Sequence, residues 1–240
     1  MIANVAVGWW ILAAIVGYLL GSINPATLIA RARGIDIRAV GSGNPGATNA
    51  GRALGKKAGV VVLLLDLLKG LIPVIVFTLL VAPGVGALAG FAAILGHMTS
   101  PFLHFHGGKG VATTLGVLIG IEPWWLIPVL VVFAITFFIV RRTGIASVFA
   151  SLALIVTAVI DNNDLEISLF AILIGILVIV TSTQHPGGTN GFDGKTFIHR
   201  LIRASDQSCQ LPCSPNGTRT GIATVAIGPV LISAASNITK

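Results

Sequence analysis

Residues 38–57 form a polar stretch, RAVGSGNPGATNAGRALGKK, in a chain that is otherwise strongly apolar. Its glycines can turn the backbone so that N–H groups face an anion. The guanidinium of Arg52 has the planar geometry that suits a phosphate group. No acidic residue interrupts the stretch, which distinguishes it from an ordinary flexible connector. These features favour a site for a small anionic ligand, with side-chain donors supplied by Ser42, Asn44, Thr48 and Asn49.

A second glycine-rich loop, residues 107–110, carries one lysine, Lys109. An arginine, a lysine and glycine backbone together suit one or two phosphate groups. The loop is not a Walker motif, because Gly110 follows the lysine where that motif has serine or threonine. ATP hydrolysis is therefore not indicated. The glycines expected to bind substrate through their backbone are Gly41, Gly43, Gly46, Gly107, Gly108 and Gly110.

Two other kinds of chemistry have weaker support. His97, His104 and His106 could suggest a metal site, but no cysteine or acid completes a ligand shell, so neither a metal nor a cofactor is expected. Ser42 could act as a covalent nucleophile. That role is disfavoured, because no histidine–aspartate partner lies near Ser42 in the sequence.

The composition indicates an integral membrane protein. Of 240 residues, 55% are hydrophobic and 10% are charged, whereas soluble domains carry about 25% charged residues. The net charge of +7 first suggests anchoring at a cytoplasmic membrane surface with anionic lipid headgroups. Aromatic residues do not alternate with the cations, so nucleic acid is not an expected partner.

Seven apolar segments predict an all-helical bundle of seven membrane spans. The fourth segment is short and could be re-entrant. Residues 1–180 would form this membrane domain. Residues 181–240 would form a divergent tail, and the sequence leaves open whether that tail is disordered. The predicted spans cover residues 5–30, 58–81, 85–98, 111–121, 122–140, 144–160 and 167–180.

Four polar side chains within these spans are candidate supporting residues of the site. Ser22 belongs to a polar segment around a proline, where a break in the span must be buried by protein or line a cavity. Asp66 and Lys69 lie three residues apart on one helix face, where they can pair or take part in the site. His97 lies at the end of the third predicted span.

Lysine and arginine are confined to alternate loops of the membrane domain. Every lysine and arginine of this domain lies in the loops after the first, third and fifth spans, except Lys69, which lies within the second span. By the positive-inside rule, the N-terminus lies outside and these three loops face the cytoplasm. An odd number of spans then places the C-terminal tail in the cytoplasm. Both glycine-rich loops therefore lie on the cytoplasmic side.

Together, the motifs resemble those of the bacterial acyl-phosphate:glycerol-3-phosphate acyltransferases, the PlsY family. The resemblance covers roughly residues 5–180, in the same order and with similar spacing. A single GGKG loop would be weak evidence, but the combined set is specific. It consists of GSGNPGATN at residues 41–49 with Arg52, DLLKG at 66–70, Gly96-His97, and GGKGVAT at 107–113.

The resemblance implies a seven-helix enzyme of the bacterial inner membrane with its site at the cytoplasmic face. It implies transfer of a fatty acyl group from acyl phosphate to glycerol 3-phosphate, which gives lysophosphatidic acid and phosphate in the first step of phospholipid synthesis. Ser42, Arg52 and Lys109 would be the catalytic residues that hold phosphate, and the acyl chain would lie among membrane lipid. No cofactor is needed, because acyl phosphate is an activated donor. A soluble enzyme that makes acyl phosphate is an implied partner.

One element of the family pattern is absent. The family carries a third motif, roughly His-Arg-x-Asn-Ile followed by Glu, which should begin close to residue 182. Here Gly188 stands where asparagine is expected after His185, and an alternative start at His199 has no following Glu. The tail is therefore divergent, or its reading frame is shifted. Two other functions stay open: a transporter for a phosphate-bearing solute, and an inactive scaffold for the enzyme that makes acyl phosphate.

Overall fold

The computed structural model describes residues 5–161 and 165–184, together with two short strands at 224–227 and 230–233. The chain divides into two compact units, Met1–Gly191 and Phe192–Lys240. The positions considered for the third motif, His185, Gly188 and His199, lie outside the described residues.

All regular secondary structure in the described part of the first unit is helical. Single 3-10 turns at Pro101–Leu103 and Pro123–Trp125 precede its sixth and seventh α-helices. The α-helices are α1 (Val7–Ser22), α2 (Pro25–Arg31), α3 (Ala47–Ala53), α4 (Lys56–Leu80), α5 (Pro83–Met98), α6 (Val111–Ile121), α7 (Leu126–Val140), α8 (Thr143–Asp161) and α9 (Leu165–Gln184).

The described part of the second unit is an antiparallel hairpin. Strand β1 (Thr224–Ile227) pairs with β2 (Val230–Ser233), with Thr224 opposite Ser233. The sequence predicts only an apolar run there, too short for a span, so the hairpin is a strand element that the all-helical prediction does not include.

Within the described residues, six helical segments are long and apolar enough to cross a bilayer. They correspond to six of the seven predicted spans. The remaining one is α6, which has 11 residues and is therefore about 16 Å long, against a hydrocarbon core of about 30 Å. The six segments are Val7–Arg31, Lys56–Leu80, Pro83–Leu103, Pro123–Val140, Thr143–Asp161 and Leu165–Thr183.

The two ends of α6 nevertheless contact opposite ends of the helix bundle. Before its start, the Lys109 carbonyl accepts a hydrogen bond from Thr181 Oγ1, in the last turn of α9 (3.4 Å). A Cβ on Gly144, at the start of α8, would also lie near this last turn of α9. Past the other end of α6, Trp125 Nε1 donates to Asp161 Oδ2, at the end of α8 (2.6 Å). Together with its flanking turns, α6 thus runs from one end of α8 to the other.

Apolar side chains cover both the inside and the outside of the bundle. The core contains Ile94, Val117, Leu118, Leu154 and Ile174. Large apolar side chains are also exposed along the outer faces of the spans, and patches of this extent are rare on soluble monomers. In a bilayer such faces contact lipid tails, which fits the predicted membrane protein. Examples on α4 and α7 are Val60, Leu64, Ile135, Phe138 and Ile139.

The first span is broken where the sequence places its polar segment. Helix α1 ends at Ser22, and α2 begins at Pro25. Asn24 caps α2, because its Oδ1 accepts a hydrogen bond from the backbone N–H of Thr27 (2.8 Å). The polar side chains of Ser22 and Asn24 are buried at the break, as polar groups within a membrane span require, whereas the apolar side chain of Ile23 is exposed.

Candidate active site

The part of the polar stretch before α3, residues 38–46, is the first glycine-rich loop. It is held together by the buried amide of Asn49. Its Nδ2 donates to the carbonyl oxygens of Ile37 and Val40 (both 3.0 Å). Its Oδ1 accepts from the backbone N–H of Ser42 (2.9 Å). Gly41 has a left-handed φ of +59°, and a Cβ there would collide with this Oδ1. Asn49 therefore holds the loop in shape through bonds to the loop backbone.

Arg52 is presented by the short helix α3. This helix packs on the start of α4 through two glycines, since a Cβ on Gly59 would lie 2.7 Å from the Cα of Gly51. The Arg52 side chain is exposed, and none of the hydrogen bonds or ion pairs among the described residues engages its guanidinium. Thr48 is also exposed on α3. The cation is therefore free to meet a ligand.

Two further polar groups of this loop lack hydrogen-bond partners among the described residues. The hydroxyl of Ser42 makes no hydrogen bond within the described residues, so no histidine or acid activates it there. The Oδ1 atom of Asn44 is buried and also has no partner in that part of the chain. Both groups remain available to hydrogen-bond a ligand.

The backbone of the second glycine-rich loop packs directly against the backbone at the end of α5. The N–H groups of Gly107 and Gly108 donate to the carbonyls of Met98 (2.8 Å) and His97 (3.1 Å). A Cβ on Gly107 would collide with the His97 carbonyl, and a Cβ on Gly108 would collide with its Nε2. The glycines are thus required by this close approach, whether or not their backbone also binds substrate.

Lys109 lies between this loop and the ends of α8 and α9. Its Nζ is 3.1 Å from the position that a Cβ on Gly144 would occupy. Partial burial lowers the pKa of Lys109 from its ordinary value. Among the described residues, none of the acids pairs with its ammonium. Like Arg52, Lys109 is a cation whose charge is left for a ligand.

Arg38 joins the two loops, a role that no motif in the sequence predicts. Its Nη2 donates to the carbonyl of Leu103 (3.2 Å) and also to that of His106. The first loop is thereby fastened to the segment that leads into the second. Because both acceptors are backbone carbonyls, no pattern of side chains in the sequence signals these contacts.

The four candidate supporting residues are buried and bond to protein. Asp66 Oδ1 lies 2.9 Å from Lys69 Nζ, so these two residues pair, which is one of the two possibilities that the sequence left open. His97 Nδ1 lies 3.5 Å from the same oxygen, so the histidine joins this cluster. Ser22 Oγ donates to the carbonyl of Tyr18 (2.7 Å). These side chains face other protein groups, which indicates a supporting role.

The histidines considered for a metal form no metal site within the described residues, and the cavity in that part of the chain is lined by neither Arg52 nor Lys109. His104 and His106 are exposed, and the described residues contain no group of three His, Cys, Asp or Glu placed to hold a metal. A cavity of about 440 Å³ lies between the chain segments that lead into the two loops. Neither Arg52 nor Lys109 lines it. Its lining includes Thr27, Arg31, Ile37, Arg38, Leu103 and His104.

Sequence comparisons identify the family. Residues 11–187 match the model of the glycerol-3-phosphate acyltransferase family. A glycerol-3-phosphate acyltransferase of Geotalea daltonii is 45% identical over 163 residues, which cover 67% of this chain and 84% of that protein. The enzyme of the same name from Aquifex aeolicus is 41% identical over 167 residues, which cover 69% of this chain and 87% of that protein.

Solved structures agree with the sequence comparisons. The fold is similar to a crystal structure of PlsY, an integral membrane glycerol 3-phosphate acyltransferase, in its glycerol 3-phosphate form. The TM-score is 0.69 at 36% identity, over 81% of this chain and 92% of that chain. The lysophosphatidic acid form of PlsY gives a TM-score of 0.66 at 35% identity. The chain therefore belongs to the PlsY family of glycerol-3-phosphate acyltransferases, as its motifs predict, and is an acyltransferase.

Proposed function

We propose that this acyltransferase takes a fatty acyl group from acyl phosphate and transfers it to glycerol 3-phosphate, forming lysophosphatidic acid and inorganic phosphate. The observation that carries the proposal is a pair of cations without acidic partners among the described residues: Arg52, on α3 directly after the first loop, and Lys109, on the second loop. Arg38 fastens the two loops together. Both substrates carry phosphate, and cations suit phosphate. The PlsY structures with glycerol 3-phosphate and lysophosphatidic acid support the acceptor and the product.

The proposed reaction needs only the two substrates. A hydroxyl oxygen of glycerol 3-phosphate attacks the acyl carbonyl carbon, and the new ester bond forms as the bond from that carbon to the phosphate oxygen breaks. The hydroxyl proton passes to a phosphate oxygen of the substrates, and inorganic phosphate leaves. Arg52 and Lys109 would stabilise the negative charge on the phosphate groups and on the carbonyl oxygen.

Ser42 completes the proposed phosphate site as a hydrogen-bond donor. Its hydroxyl is unbonded and half-buried, beside an Asn44 side chain that also lacks a partner in the described residues. The role of covalent nucleophile has less support, because Ser42 Oγ contacts no base in that part of the chain. Thr48 is a further donor that substrate oxygens could use, whereas the N–H groups of Gly43, Gly46, Gly107 and Gly108 already bond to backbone carbonyls.

A donor assay tests the proposal. Purified protein in detergent or nanodiscs is mixed with palmitoyl phosphate and radiolabelled glycerol 3-phosphate. We expect labelled lysophosphatidic acid and one inorganic phosphate per product, and no product when palmitoyl coenzyme A replaces the acyl phosphate. Folded protein that makes no product from acyl phosphate would contradict the proposal. The same result would favour the inactive scaffold, whereas the transporter has lost its support through the family assignment.

We also propose that α6 crosses the membrane as a seventh, short span and that the loops with the free cations face the cytoplasm of a bacterial inner membrane. The exposed cations at this end of the bundle support that orientation by the positive-inside rule: Arg31, Arg33, Arg52, Lys56, Lys57, Arg141 and Arg142. The orientation would open the site to a soluble enzyme that makes acyl phosphate, and to the lipids of the cytoplasmic leaflet.

Cysteine labelling checks this orientation in spheroplasts. Single cysteines replace Lys57, at the cationic end, or Trp124, at the opposite end, in a chain whose own cysteines are changed to serine. With a membrane-impermeant maleimide, we expect Trp124→Cys to react in intact spheroplasts and Lys57→Cys to react only after permeabilisation. The reverse pattern would contradict the proposed topology.

A further inference from the structure

The break between α1 and α2 leaves backbone carbonyls without their helical donors. In a continuous helix the carbonyls of Ser22 and Ile23 would accept the N–H groups of Ala26 and Thr27. Helix α1 ends at Ser22, and the N–H of Thr27 bonds to the side chain of Asn24. The carbonyls of Ser22 and Ile23 therefore need other partners, since unsatisfied carbonyls inside a membrane are costly. Hydrogen-bond donors for these two carbonyls have to come from other elements of the fold.

Two distant side chains supply the missing donors. Ser100 Oγ, in the segment after α5, donates to the carbonyl of Ser22 (2.6 Å). Lys69 Nζ, in α4, donates to the carbonyl of Ile23 (2.8 Å). Lys69 is only 8% exposed, and its ammonium contacts both this carbonyl and the nearby Asp66. The break is thus a buried junction of three elements.

The junction also contacts the first glycine-rich loop. Asn24 Nδ2 donates to the carbonyl of Pro45 (3.0 Å), while Oδ1 of the same side chain caps α2. Asn24 is buried, with 5% of its surface exposed. One side chain therefore stabilises the second half of the broken span and fixes the loop that carries Ser42 and leads into α3.

From the junction, a second series of contacts leads to the other loop. Lys69 pairs with Asp66 (2.9 Å), and Asp66 lies 3.5 Å from His97 Nδ1. The carbonyl of His97 accepts the N–H of Gly108 (3.1 Å), which immediately precedes Lys109. Charges buried in a membrane span are costly and are retained for a role. This cluster ends directly beneath the loop that presents Lys109.

We propose that this continuous series of contacts sets the separation between the two loops, and that Asn24 and Lys69 are positioning residues for acyl transfer. The series runs from Pro45 through Asn24, the Ile23 carbonyl, Lys69, Asp66 and His97 to Gly108. Acyl transfer requires that groups on both loops hold the two substrates at the correct distance and orientation for reaction. A misplacement of the reacting groups by about 1 Å can lower the rate about a hundredfold. The inference rests on the proposed function, because acyl transfer is its kinetic readout.

Asn24→Ser is the sharpest test, because serine also caps a helix but is too short to reach Pro45. We expect kcat to fall about tenfold to a hundredfold, because misplaced reacting groups can lower a rate about a hundredfold. The KM for glycerol 3-phosphate should change less. The matched control is Thr157→Val, which also removes one side-chain hydrogen bond, to the carbonyl of Ala153 in α8. Both variants should melt at similar temperatures, and only Asn24→Ser should lose turnover.

A second variant removes the buried ion pair as a unit. Asp66→Asn combined with Lys69→Met leaves no uncompensated charge, so the fold should persist, whereas the Ile23 carbonyl loses its donor. We expect a loss of kcat and faster amide hydrogen exchange in residues 41–46 and 106–110. Wild-type kcat in both folded variants would overturn the inference, and so would unchanged exchange in these loops. A wild-type protein without turnover would instead contradict the proposed function, while the exchange measurement would still decide this inference.

Discussion

Lys109→Ala is expected to lower kcat/KM by about 10³-fold while the protein stays folded, since a single lost donor to developing charge costs about 10²–10³-fold in rate. The Lys109 ammonium has no acidic partner among the described residues, so its removal leaves no buried acid uncompensated. Steady-state kinetics with acyl phosphate and glycerol 3-phosphate provide the measurement. Lys57→Ala is the control, because it removes an exposed lysine from the same end of the bundle.

The pH profile gives a second readout of the same residue. The pKa of Lys109 is lowered by burial, so its charge is lost at a lower pH than that of an exposed lysine. Activity should therefore decline on the alkaline side as pH rises through this pKa. In Lys109→Arg, any remaining activity should persist to higher pH, because a guanidinium stays charged. Wild-type kinetics in folded Lys109→Ala, or an identical alkaline limb in Lys109→Arg, would remove Lys109 from the site.

Arg52→Ala should lower kcat/KM by about 10²–10³-fold, through the loss of a cation that can bind phosphate with two parallel hydrogen bonds. Its side chain is exposed and unpaired in the described part of the chain, so the melting temperature should hardly change. Arg52→Lys keeps the charge but loses the planar fork, and an intermediate rate is expected.

Arg142→Ala serves as the control for this arginine. Arg142 is exposed at the same end of the bundle, just before α8, and its removal should leave kcat/KM unchanged. If Arg52→Ala and Arg142→Ala behaved alike, overall positive charge rather than a defined phosphate contact would explain the effect. The assignment of Arg52 would then be wrong.

The membrane helices were predictable because length and hydropathy determine them. The second predicted span, 58–81, corresponds to α4 at Lys56–Leu80, and the break in the first span lies at the proline that suggested it. Helix α3 was not predicted. Its glycine, asparagine and threonine residues have low helix propensity, and the helix depends on the contact of Gly51 with Gly59 of α4. Such a contact can be seen only after the chain has folded.

The candidate site was predicted in its residue types but not in how those residues are used. The sequence could not show that the amide of Asn49 bonds to the loop's own backbone, nor that the hydroxyl of Ser42 makes no hydrogen bond within the described residues. Arg38 and Asn24 were missed for a common reason: their acceptors are backbone carbonyls 65 and 21 residues away. Every residue type offers such a carbonyl, so no sequence pattern marks the contact.

The most direct test of the central claim is a structure of this protein with glycerol 3-phosphate bound. The account predicts phosphate oxygens within about 3.2 Å of donors on both loops, with Arg52 and Lys109 among them and Ser42 Oγ as a further donor. Glycerol 3-phosphate bound elsewhere, such as in the cavity lined by Arg31 and His104, with Arg52 and Lys109 both free, would contradict it.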